Sequence, residues 1–100
     1  MNDFTKNKYH ERGKRYHKAI HDILIKEWDP IGVENVPEAQ DEYDSYIPQI
    51  YKRLITRASE QNLFDYLWWV ETEHMELSGN RTITWTIVHK LFQLNETIND

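Results

Sequence analysis

One hundred residues, 29% of them charged and 39% hydrophobic, describe a single globular domain and exclude a disordered chain. The absence of cysteine excludes disulfides and thiolate metal sites, and no apolar run approaches the ~20 residues that cross a bilayer. The net charge of −5 argues against a dedicated nucleic-acid binder.

That charge is unevenly spread: residues 1–27 carry +3, residues 28–50 carry −6 and residues 51–100 carry −2. The polar, charged start has no apolar signal segment, which gives a cytoplasmic expectation with no membrane association. A chain this short needs large side chains to fill its core, and its thirteen aromatics, four of them Trp, meet that need. Residues 1–7 are expected to fray and residues 95–100 to form a tail around one helical domain.

Tyr16, Ala19, Ile20, Ile23, Leu24 and Trp28 recur at helical spacing, which predicts a first helix over about 8–27. Asp29-Pro30 stops it, because proline disfavours helical geometry in the preceding residue. Trp28 closes this stripe and opens the following loop, so burial is expected for it. A second stripe, Tyr43, Ile47, Ile50, Tyr51, Leu54 and Ala58, predicts a helix ending near Ala58. Pro48 fits only a first turn, so either Ser45 caps this helix or a short turn over 41–45 feeds into it.

Ser59 is a natural cap for a third helix over about 60–76, which carries Leu63, Phe64, Leu67, Trp68, Val70 and Met75 and ends at Ser78-Gly79. Trp69 lies ~100° round the helix from Trp68, so the two cannot share a face. A fourth helix over about 81–94 buries Ile83, Ile87, Val88, Leu91 and Phe92. Residues 82–88 also alternate like a strand, but no second strand pattern exists to pair with them. The expected fold is all-α: a small four-helix bundle with a structured acidic loop between helices one and two.

The loop is the most distinctive part of the chain. Trp28-Asp29-Pro30-Ile31-Gly32-Val33, then Asp41-Glu42-Tyr43-Asp44-Ser45-Tyr46 with Pro48, Ile50, Tyr51 and Leu54, resembles a family of short bacterial helical proteins of unknown function. The resemblance extends through Tyr66-Leu67-Trp68-Trp69, residues 71–75 and Leu77-Ser78-Gly79, and so covers roughly residues 20–92. It implies an all-helical fold and brings no activity and no catalytic residues.

No catalytic signature stands out in the chain, and paired carboxylates such as Asp41/Asp44 or Glu71/Glu73 are composition without a nucleophile or pocket to make them a mechanism. His17 and His21, with Glu71 and His74, form the alternative reading: a small metal-dependent enzyme or sensor. Di-iron bundles use two Glu-x-x-His units, and here there is one. The basic start at residues 6–18, interleaved with Tyr9 and Tyr16, reads as a solvated helix face rather than a nucleic-acid surface.

Between Trp28 and Ile50 lie six carboxylates and no Lys or Arg. That field suits a partner with a basic surface, and exposed Trp and Tyr are common interface anchors. The expectation is therefore a non-enzymatic macromolecule-binding protein, for example an immunity- or antitoxin-like inhibitor of a basic toxin, with no cofactor. Asp41, Glu42 and Asp44 would supply charge, and Tyr43, Tyr46 and Trp69 the anchors.

Overall fold

A computed structural model describes the backbone of residues 3–98 and the side chains of residues 10–98. Four helices carry the fold: α1 (Asp3–Ile23), α2 (Ile47–Ile55), α3 (Glu60–Trp69) and α4 (Arg81–Thr97), with no strand among the described residues. The strand-like alternation over 82–88 is helical, with Thr84, Ile87 and Val88 buried. Residues 3–7, expected to fray, belong to α1; residues 1 and 2 lie outside the described residues.

α1 and α3 share an ending that periodicity alone does not reveal. Each continues into one widened π-turn, Leu24–Trp28 after α1 and Val70–His74 after α3. The closing bonds run from Asp29 N–H to the Leu24 carbonyl and from Met75 N–H to the Val70 carbonyl, both 2.8 Å. A residue in the left-handed region then stops the chain: Asp29 (φ 33°) directly after the first, Glu76 (φ 56°) shortly after the second. The helical path after α3 thus ends before residue 76. Gly79, expected at the stop itself, lies further on at φ 78°, where a Cβ would come within 2.7 Å of the Trp68 ring. Only glycine fits there.

α2 is entered through a tight turn at Asp44–Tyr46, the second of the two expected arrangements, with Pro48 in its first turn. It ends at Ile55, three residues before Ala58. Arg57 turns left-handed there, and the Ala58 and Arg57 amides close back onto the Arg53 and Leu54 carbonyls at 3.0 and 3.2 Å. Ser59 caps α3 by accepting from the Asn62 amide at 3.1 Å, and Asn80 caps α4 through the Ile83 amide at 3.0 Å.

The four apolar stripes meet in one core built around Ile20, Leu24, Leu54, Leu63, Leu67 and Leu91. α4 reaches Thr97, beyond the expected boundary at 94, because its last turns are used. Buried Asn95 accepts from the Tyr16 hydroxyl (2.8 Å) and donates to the Leu54 carbonyl (3.0 Å), tying α1, α2 and α4 together. The expected tail at 95–100 is helix to Thr97 and a buried Ile98; residues 99 and 100 lie outside the described residues. Ile83, expected in the buried stripe, is 47% exposed: it lies ~100° round α4 from the fully buried Thr84, at the edge of the face that Thr84, Val88 and Leu91 bury.

Trp28 is 5% exposed, as its place in the stripe predicts. Its ring packs against Tyr43 (centroids 5.5 Å apart) and Tyr46 (6.3 Å), and its indole N–H donates to Glu71. Trp28→Ala is expected to cost about 3–5 kcal/mol, as for other large buried aromatics. Trp28→Phe keeps most of the packing but removes the donor to a buried carboxylate, at a cost of about 1–3 kcal/mol. Urea titration of both variants checks the order: a Phe variant as unstable as the Ala variant would place the whole effect in the hydrogen bond.

Candidate functional site

The acidic loop is organised by one residue. Asp29 sits left-handed at the end of α1's π-turn, a conformation that Asp tolerates better than most side chains. From there its carboxylate accepts the Val33 amide (2.7 Å), the Glu34 amide (3.1 Å) and the Tyr43 hydroxyl (2.7 Å). The Tyr43 oxygen in turn accepts the Ile31 amide at 3.1 Å. Gln40 closes the far side by donating its amide to the Glu34 and Val36 carbonyls at 2.8 and 2.9 Å. Burial pushes the Asp29 carboxyl up, but the bonds from Tyr43, Val33, Glu34 and Gly32 outweigh it and hold the pKa below the usual 3.8. The same contact acts oppositely on the tyrosine: burial and the adjacent Asp29 charge push the Tyr43 hydroxyl far above its ordinary value.

This arrangement divides the expected binding residues. Asp41 and Glu42 are exposed. Tyr43 is 1% exposed and cannot reach a partner; it is the pillar of the loop. The pattern that marked it as an anchor, an aromatic among carboxylates, is also the pattern of a tyrosine hydroxyl bracing an aspartate. Asp44 is half-buried and bonded to His21 Nδ1 at 2.7 Å, so part of its charge is committed to α1. Tyr46 is half-buried, edge-on to Trp28 on one side and to His74 on the other (6.0 Å).

Trp69 is 51% exposed, whereas Trp68 stacks on Phe64 inside the bundle. Their separation follows the helical rotation between neighbouring positions. Trp69 lies between Tyr66 (6.4 Å) and His74 (5.5 Å), both stacked on it. His74 leads on to Tyr46, so four rings form a continuous surface that reaches the loop. Arg53 caps the opposite end, 4.5 Å over the Tyr66 ring. Burial pushes the Tyr46 hydroxyl up and the Glu42 charge adds to it. Tyr66 was not legible as a site residue and His74 was read only as a candidate metal ligand; Tyr66 stands three positions from Trp69, the available signal, whereas His74 stands five positions on, at the end of the π-turn.

His17, His21, Glu71 and His74 are not brought together. His17 is exposed on α1, His21 is bonded to Asp44, and His74 lies among aromatic rings. Glu71 is buried and bonded to Trp28 and Thr84. No three His, Asp or Glu side chains are grouped with metal-ligand spacing among the described residues.

Trp28 also borders a cavity of about 280 Å³, lined further by Asp29, Pro30, Glu71, Leu77, Gly79, Asn80 and Ile83. The 4%-exposed carboxylate of Glu71 forms part of its wall. Comparison with protein-family models, with curated proteins and with solved structures finds no match to this chain.

The depressed Asp29 pKa carries a stability consequence. Its contribution is fully present above the unfolded-state value near 3.8 and is lost as pH falls through the lower folded value. Asp29→Asn keeps the left-handed backbone but weakens charge-assisted bonds, for an expected loss of about 1–2 kcal/mol at pH 7. The variant's stability should fall less steeply than the parent's below pH 4, measured by denaturant titration at stepped pH. Parallel acid limbs would remove Asp29 as the loop's organising charge.

Proposed function

We propose that this protein binds another protein through its acidic loop and the adjoining aromatic surface, without catalysis of its own. The observation that carries this reading is the half-exposed Trp69, held by stacking between Tyr66 and His74 and joined through Tyr46 to the loop of Asp41 and Glu42. An aromatic side chain kept rigid yet open to solvent loses little conformational entropy when a partner covers it, which is what an interface anchor requires. The carboxylates beside it favour a basic partner surface and would speed encounter at low salt.

A concrete form of the reading is an immunity- or antitoxin-like inhibitor that covers a basic toxin in the cytoplasm. It rests on analogy with other small acidic binders. The resemblance to short bacterial helical proteins belongs to the same proposal and adds no activity to it. No observation favours the metal-dependent alternative, whose four residues are not brought together.

The test begins with a partner identified by pull-down from the native host and purified. Trp69→Ala should weaken its binding by at least about 2 kcal/mol, the range of interface anchors. Because Trp69 is half exposed, its folding stability should change by less than about 1 kcal/mol. Asp41→Asn combined with Glu42→Gln should lower the association rate and flatten its salt dependence while leaving dissociation nearly unchanged. Unchanged affinity in the first variant and unchanged rates in the second would move the interface off this face.

A further inference from the structure

The cavity behind Trp28 contains a group that the loop surface does not explain. Glu71 is 4% exposed and lies in the π-turn after α3. Its Oε1 accepts the Trp28 indole N–H. Thr84 Oγ lies 3.0 Å from Oε1, 3.1 Å from Oε2 and 3.0 Å from the Asn80 carbonyl. A hydroxyl has one proton to give, so these three contacts share a single donor. The carboxylate therefore receives at most two hydrogen bonds, against about four that its oxygens can accept. No Lys, Arg or His forms an ion pair with it among the described residues.

A carboxylate removed from water without a counter-charge is costly, and a cation placed beside it recovers much of that cost. The cavity offers the space. Its remaining wall supplies an apolar lining from Pro30, Leu77 and Ile83, and Ile83 is the large aliphatic side chain that the first turn of α4 leaves open to solvent. Asp29 adds a second negative charge at the rim, though its oxygens are occupied by the loop amides and Tyr43. A buried carboxylate with unused acceptor capacity in the wall of a partly apolar cleft matches a primary ammonium on a short alkyl chain. The forked guanidinium fits less well, because Trp28 engages Oε1 and the Thr84 hydroxyl lies against both oxygens, which leaves no free pair for two parallel bonds.

We infer that the Trp28–Glu71–Ile83 cavity is a binding site for an alkylammonium group, with Glu71 as the counter-ion and Ile83, Leu77 and Pro30 as the seat of the alkyl chain. The inference does not rest on the acidic-loop reading, since neither Asp41, Glu42 nor Trp69 lines the cavity. The same chemistry has two sources, a free primary amine or the lysine side chain of a protein, and both present four carbons ending in an ammonium.

The experiment is an NMR titration of the full chain that follows the Trp28 indole N–H, with n-butylammonium as probe and 1-butanol as its neutral isostere. Butylammonium is expected to shift that resonance with a Kd of about 1 mM, within the range open to so small a ligand, and butanol to bind at least about tenfold more weakly. Glu71→Gln keeps an acceptor for Trp28 and removes the charge; it should weaken butylammonium by about tenfold or more. Should that variant fail to fold, the comparison of the two probes on the parent chain still decides. Equal binding of butanol and butylammonium, no shift with either, or full affinity in folded Glu71→Gln would overturn the inference. A blocked Gly-Lys-Gly peptide separates the sources: exclusion of the peptide while butylammonium binds supports a free amine, and tighter binding of the peptide supports a lysine side chain.

Discussion

Three parts of the chain that lie far apart in sequence converge on the Glu71 carboxylate. Trp28 brings the end of α1's π-turn, Glu71 itself sits in the π-turn after α3, and Thr84 stands in the first turns of α4. Trp28 closes the first widened turn and Glu71 stands near the start of the second, and their side chains meet. Such turns occur mostly as single insertions and often at functional sites. The arrangement is energetically expensive, because a buried carboxylate with only neutral donors forgoes hydration that an apolar residue would not need. A Gln at 71 would keep an acceptor for Trp28 and Thr84 without burying a charge. The buried carboxylate is the strongest physical reason to look for a cation.

Above this node, the loop solves a different problem. A segment of six carboxylates repels itself, and it lacks Lys or Arg for internal neutralisation. The structure orders it by using backbone amides and one tyrosine hydroxyl as donors to Asp29, and by handing Asp44 to His21 on α1. What is left exposed, Asp41 and Glu42 among others, is the part of the charge not needed for folding. Acidity in the loop thus has two origins, a structural one in Asp29 and Asp44 and a surface one in Asp41 and Glu42, and only the second is free to steer a partner.

The helices were legible because their determinants are local. Stripe spacing locates α1 to α4, Ser59 predicts its own cap, Asp29-Pro30 marks its stop, and Pro48 restricts where α2 begins. Trp68 and Trp69 separate onto inner and outer faces as helical rotation requires. The candidate sites were less legible because they depend on contacts across long sequence separations. Nothing local distinguishes Tyr43 as a brace from Tyr43 as an anchor; the partner that decides it, Asp29, is fourteen positions away. Glu71 read as half of a metal-binding unit because the spacing of Glu71 and His74 is visible, whereas the bond to Trp28 across forty-three positions is not. Ile83 satisfied the stripe spacing but lies at the edge of the buried face, ~100° round the helix from the buried Thr84 that the apolar pattern did not count.

Trp28 is the physical hinge between the two surfaces, and this limits which variants can tell them apart. Its indole packs on Tyr43 and Tyr46 of the loop, and its N–H donates to Glu71, which with Trp28 itself lines the cavity. A large change at Trp28 therefore disturbs both and discriminates neither. Peripheral residues separate them: Trp69 belongs to the aromatic surface and is absent from the cavity wall, while Ile83 lines the cavity and lies outside the ring cluster. Both are about half exposed, so their loss perturbs the core little. A rigid indole shared by the two proposed sites would give each a route to sense the other, because a ligand that shifted the ring in the cavity would also shift its packing against Tyr46. The ring cannot move toward one neighbour without leaving a gap beside another, since close-packed interiors accommodate displacement poorly. Any such coupling runs through contact rather than charge, which makes packing at Tyr46, not the acidic residues, the place where it would be felt.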